Sequence, residues 1–143
     1  MSTWRTVLVG FDGSPSSRKA LAWAAAEGAH HSADLVVLNV WEHTVPPPSG
    51  SVSVSEHAVP EPSHRSAEEL LTDIKEVLGE DPPVLVQPRV KQGNPAKVLI
   101  EESANADLLV VGTRGLGGFR GLVLGSVSQH VSAYAECPVT VVR

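Results

Sequence analysis

The chain's 143 residues are enough for one ordinary domain with a substantial buried core and too few for two. Apolar residues make up 42%, which excludes wholesale disorder, and a formal net charge of −5 excludes the basic face of a general nucleic-acid or anionic-lipid binder. A net charge does not describe a single cleft, so a local pocket for one nucleotide is still allowed. The single cysteine, Cys137, cannot form an intramolecular disulfide and suits a reducing compartment. Polar Ser2, Thr3 and Arg5 follow Met1 without a signal-peptide pattern, and no apolar run approaches the roughly 18 residues of a membrane span. The expected location is the cytoplasm, with neither membrane nor nucleic acid as partner.

In chain order, Thr6-Val-Leu-Val-Gly10 opens as an unbroken aliphatic run, the pattern of a strand covered on both faces. Ser14 before Pro15 marks a helix start, and Leu21, Ala24, Ala25 and Gly28 follow at i, i+3, i+4, i+7. Leu35-Val-Val-Leu-Asn-Val40 reads as a second buried strand. From Glu42 to Pro62 come Pro46-Pro-Pro48, Ser49-Gly50, further serines and two more prolines. This 42–62 stretch is a long loop leaving the ligand-binding end of a parallel sheet, expected to be a tolerated disordered insertion, with a flexible lid as the alternative. Ser63 is the expected cap of a second helix carrying Ala67, Leu70, Leu71 and Ile74.

Val84-Leu-Val-Gln-Pro-Arg-Val90 alternates and contains Pro88, which cannot donate to a ladder and so belongs on an edge. Asn94 before Pro95 starts a third helix, Leu108-Leu-Val-Val-Gly112 is a buried strand, and Val127, His130, Val131 and Tyr134 mark a fourth helix. Pro138-Val-Thr-Val-Val142 is a short last strand. Five strands alternating with four helices predict one α/β domain over 1–143, a doubly wound sandwich with a parallel sheet and right-handed crossovers.

The segment from Gly112 to Ser128 carries the chemistry. Its glycines let backbone approach a ligand, and the helix start after it presents unpaired N–H groups to an anion, with Ser126 and Ser128 adding hydroxyl donors. It is not a Walker A loop, because no lysine lies between Gly112 and Arg143. Nor is it the dinucleotide fingerprint, which would follow the first strand, where the chain reads Gly10-Phe-Asp-Gly-Ser14. The spacing Gly112, two residues, Gly115, nine residues, Gly125-Ser126 resembles that of the ATP-binding universal stress proteins. Val9-Gly10-Phe11-Asp12-Gly13-Ser14 is similar to the Asp-Gly-Ser turn of that family, and Cys137-Pro138-Val139-Thr140-Val141-Val142 to its last strand. The likeness spans the chain apart from the loop after Val40.

The resemblance implies a five-stranded sheet of order 3-2-1-4-5, with the ligand crevice where the first and fourth strands meet. It places adenine near Gly10, Phe11 and the Val40 backbone. It makes Asp12 a nucleotide contact, through hydroxyls or through a divalent metal, Mg2+ being the expected ion. Gly112 and Gly115 would make room for ribose and phosphate. Gly125, Ser126, Val127 and Ser128 would hold the phosphate tail. The family fixes arginine at neither position 114 nor 120, and Arg114 and Arg120 either neutralise phosphate charge or are solvated loop residues. Blander readings stand beside these. Asp12 is then a helix-capping carboxylate, and glycines 117, 118 and 121 are loop residues. His30 and His31 suit a helix C-terminus. His43, His57 and His64 match no ligand spacing, Trp23 and Tyr134 pack, and Cys137 is a small buried residue.

The functional expectation is an ATP-binding regulatory protein with little or no ATPase activity, because no general base beyond Asp12 is evident. The alternatives are a slow ATPase or phosphotransferase, and a cyclic AMP-binding or nucleotide-free interaction module. The short last strand, 138–142, is the expected homodimer edge.

Overall fold

The computed structural model describes residues 3–42, 65–113 and 124–143. Strands β1 (Thr6–Gly10), β2 (Asp34–Trp41), β3 (Val86–Gln92), β4 (Leu108–Gly112) and β5 (Val139–Val142) alternate with helices α1 (Pro15–His31), α2 (Ala67–Leu78), α3 (Pro95–Ser103) and α4 (Ser126–Tyr134). All strand pairs are parallel and the sheet order is β3-β2-β1-β4-β5, as the resemblance implied. The β3 edge follows from local sequence. Leu35 N–H donates to Leu85 O, so Pro88 turns its missing donor away from β2, towards the open side.

Two cores flank the sheet. On one face Val7, Val9, Leu35, Val37, Leu108 and Val110 pack against Leu21 and Ala24 of α1 and Leu70 and Ile74 of α2. On the other, Leu8, Val36, Leu38, Leu109 and Val111 pack against Leu99 of α3 and Val131 of α4. Successive residues of β1, β2 and β4 thus enter opposite cores, which is why these runs are unbroken rather than alternating. Each such side chain contributes about 1.5–3 kcal/mol when fully buried.

Several local expectations are corrected. The cap of α2 is Ser66, not Ser63, which lies outside the described residues. Ser66 Oγ accepts from Glu69 N–H while the Glu69 carboxylate accepts from Ser66 N–H, a reciprocal box that Ser63 could not form with this helix. β3 runs to Gln92 because β2 continues to Trp41 beside it. Trp23 is 37% exposed and Tyr134 67%, so neither packs in a core, and Leu71 faces solvent where the helical period had placed it inward. Cys137 is half-buried. His31 sits at the end of α1 as expected, held by Glu27 at 3.2 Å and stacked on Trp4 with ring centroids 4.1 Å apart.

Candidate functional site

Helices α1 and α2 lie on one face and α3 and α4 on the other, so the chain changes faces between β1 and β4 and a crevice opens at their carboxyl ends. The turn after β1 forms one wall. Asp12 Oδ1 accepts from Ser14 N–H at 2.9 Å, and Asp12 N–H donates to Ser17 Oγ at 3.3 Å. Gly13 has φ +85°, a left-handed conformation suited to glycine, and Ser14 caps α1 through Ser17 N–H. Asp12 is therefore a turn-forming carboxylate, while the capping role belongs to Ser14.

β2 supplies the floor. Phe11 N–H donates to Leu38 O at 2.9 Å, so the peptide groups two residues on, at Val40, face the same way. β1 has ended at Gly10 by then, and among the described residues no strand pairs with the Val40 N–H and C=O on that side. The fully buried Asn39 reinforces this arrangement: its Nδ2 donates to Phe11 O at 2.9 Å and occupies the carbonyl to which the ladder would otherwise continue. Sequence reasoning missed Asn39. Its signal was one amide inside an otherwise aliphatic run, and buried amides exist to satisfy a specific polar group.

The second wall is the junction of β4 with α4. Gly125 N–H donates to Thr113 O at 2.6 Å, and Ser128 Oγ donates to Gly112 O at 2.5 Å. Side chains cap α1, α2 and α3, but among the described residues none caps α4, whose N-cap is Gly125. Among the described residues no acceptor meets the N–H groups of Ser126, Val127 and Ser128, which leaves the positive end of the helix dipole open to an anion. The Ser128 hydroxyl, expected to donate to phosphate, has its proton committed to the Gly112 carbonyl instead. Gly112 also differs from expectation. A Cβ there would meet the Ser16 backbone at 2.7–2.8 Å, so close packing of α1 already demands glycine, whatever room a ligand needs.

These walls enclose a cleft of about 490 Å³, counting its open mouth. Gly10, Phe11, Asp12, Val40, Gly112, Val127 and Ser128 all line it, together with an apolar set of Leu38, Pro95, Leu99 and Val111 that was not singled out from sequence. Gly125 and Ser126 do not line it. Ser126 opens instead on an adjoining groove between α3 and α4, which shares Pro95 and Val127 with the cleft and includes Lys97 and His130. Arg114, Gly115 and Arg120, the loop glycines 117, 118 and 121, and His43, His57 and His64 lie outside the described residues.

The donor set suits a flat apolar group against β2 and an anion at α4. No group of three His, Cys, Asp or Glu suited to a metal occurs among the described residues, and Asp12 is the carboxylate lining the cleft. A divalent ion here would need most of its oxygens from a ligand. No helix among the described residues is long and apolar enough to cross a membrane.

The model of the universal stress protein family matches residues 3–143. A universal stress protein of Mycolicibacterium smegmatis is 40% identical over 139 residues, covering 96% of this chain but 45% of its own length, so the chain spans about half of that relative. One from Thermus aquaticus is 38% identical over 145 residues, covering 98% of this chain and 99% of its own. A solved universal stress protein in complex with cAMP is 28% identical, with a TM-score of 0.62 and 99% of each chain covered. The motif spacing, the sheet order and these likenesses agree: this chain belongs to the universal stress protein family.

Proposed function

We propose that the cleft binds an adenine nucleotide, ATP first among them, and that the protein acts as a nucleotide-occupied regulator in the cytoplasm. The observation that carries this reading is the pairing of an unladdered Val40 peptide edge with an uncapped helix start across one apolar slot. A base edge is read by backbone N–H and C=O, and a phosphate by first-turn N–H groups. Pro95, Leu99 and Val111 would hold the adenine faces, Asp12 would meet ribose or a phosphate-borne Mg2+, and Ser126 and Val127 would meet the phosphate. Arg114 and Gly115 belong to the same proposal, as does pairing of two copies along β5.

Cyclic AMP is the second reading, supported by the relative in complex with it. Its single phosphate can use the same helix start. The test is to denature the purified protein, identify released nucleotide, and titrate ATP with magnesium, and cyclic AMP separately, by calorimetry. Micromolar or tighter ATP binding that disappears in a Gly115→Ala/Gly125→Ala variant supports the first reading. Tight binding of cyclic AMP alone selects the second, and binding of neither overturns both. Turnover that survives repurification and disappears in Asp12→Ala would make the protein a slow ATPase.

A further inference from the structure

Beside the Asp12 turn lies an ion-pair cluster none of whose members lines the cleft. Arg18 of α1 places Nη2 3.2 Å from Asp73 Oδ1 and Nη1 3.2 Å from Glu76, both on α2. Arg65, just before α2, places Nε 3.1 Å from Asp73 Oδ2, a charge contact without hydrogen-bond alignment. Asp73 thus sits between two guanidinium groups with its side chain only 13% exposed.

Both arginines meet the turn at Gly13. Arg18 Nε donates to the Gly13 carbonyl at 3.2 Å, and its guanidinium lies over the Phe11 ring, 5.9 Å from the centroid. The Arg65 guanidinium packs on the Gly13 α-carbon, where a Cβ would collide with it. Asp12, the carboxylate of the cleft, therefore lies between two held residues. We infer that Asp73 is a positioning residue for the nucleotide site: its carboxylate presses Arg18 and Arg65 onto Gly13, and so fixes Asp12 without touching the ligand. The inference rests on the adenine-nucleotide reading for its functional part.

Removing the charge while keeping the shape, Asp73→Asn, leaves two cations close together, with Arg18 held by Glu76 alone, and loosens the grip on Gly13. In the nucleotide-free protein the Ser14 and Asp12 amides should exchange several-fold faster with deuterium, read by NMR. Affinity for magnesium-ATP, or for cyclic AMP if that is the tighter ligand, should fall roughly 3- to 30-fold. Arg18→Met should do the same from the opposite side of the pair.

Two controls separate positioning from general loosening. Ile74→Val, which trims a buried neighbour on α2 without altering the cluster, should lower the melting temperature and leave affinity as in the wild type. In a cycle with Asp12→Asn, the double variant should lose much less affinity than the product of the two single losses, because both act through one carboxylate. Unchanged amide exchange, unchanged affinity in Asp73→Asn, or losses that multiply would each overturn the inference. If the wild type binds neither nucleotide, the nucleotide reading fails, while faster exchange would still establish the clamp on the turn.

Discussion

Replacing Gly112 by alanine distinguishes two reasons for a glycine at the end of β4. The added methyl would stand 2.7 Å from the Ser16 carbonyl carbon and 2.8 Å from its oxygen, against about 3.4 Å for ordinary contact. β4 and the first turn of α1 must therefore separate by about 0.6–0.7 Å, and both are backbone, so no rotamer change relieves the contact. Overpacking of this kind costs about 1–3 kcal/mol. For a domain of this size that lowers the melting temperature by roughly 4–12 °C. The assay is thermal unfolding followed by circular dichroism, on protein stripped of nucleotide. Affinity should fall too, since Ser17, next to Ser16, receives the Asp12 N–H. An unchanged melting temperature in stripped protein, with affinity alone reduced, would refute the packing argument and return Gly112 to a purely ligand-accommodating role.

Asn39→Ala leaves the Phe11 carbonyl without its side-chain donor and should cost about 1–3 kcal/mol, read as a lower urea midpoint with an unchanged slope. Ser66→Ala breaks the reciprocal cap of α2 and should cost about 1 kcal/mol, again by urea unfolding, while nucleotide affinity stays at the wild-type value. The Cys137 thiol is pushed above its ordinary pKa by burial and by the nearby Asp107 charge. Iodoacetamide should therefore modify the native protein more slowly at pH 8 than the urea-unfolded chain. The sign for stability follows: the unfolded thiol ionises first, so this contribution is complete below about pH 8.5. It is lost as pH rises from there through the folded pKa.

The strands of this fold were the most legible part of the sequence, because a strand buried on both faces has to be aliphatic throughout, as Val7 to Val9 and Leu108 to Val111 are. Pro88 announced its edge for an equally local reason. Most of what sequence reading misplaced depended on partners distant along the chain. The cap of α2 is the exception, since the Ser66 and Glu69 box is local and Ser63 was chosen in its place. The turn at Asp12 was legible as a motif, but the arginines behind it were not, since Arg18, Arg65 and Asp73 meet only once α1 and α2 lie side by side. Asn39 passed unremarked inside its strand, since its purpose required knowing that the Phe11 carbonyl would face it. The cleft's apolar lining escaped notice because Pro95, Leu99 and Val111 are ordinary helix and strand residues that converge only through topology.

The two edges of the sheet are chemically unequal, and this limits how copies of the chain can add to one another. β3 offers Pro88 to the open side and carries Arg89 and Lys91, both paired with Glu102 of α3. β5 has no proline within it and is built of half-buried Val139, Thr140, Val141 and Val142. A molecule receptive at both margins could join head to tail without end, as fibres do. If copies pair along β5 as proposed, each contributes that margin once across a two-fold axis, and growth would have to use the proline-bearing β3 edge.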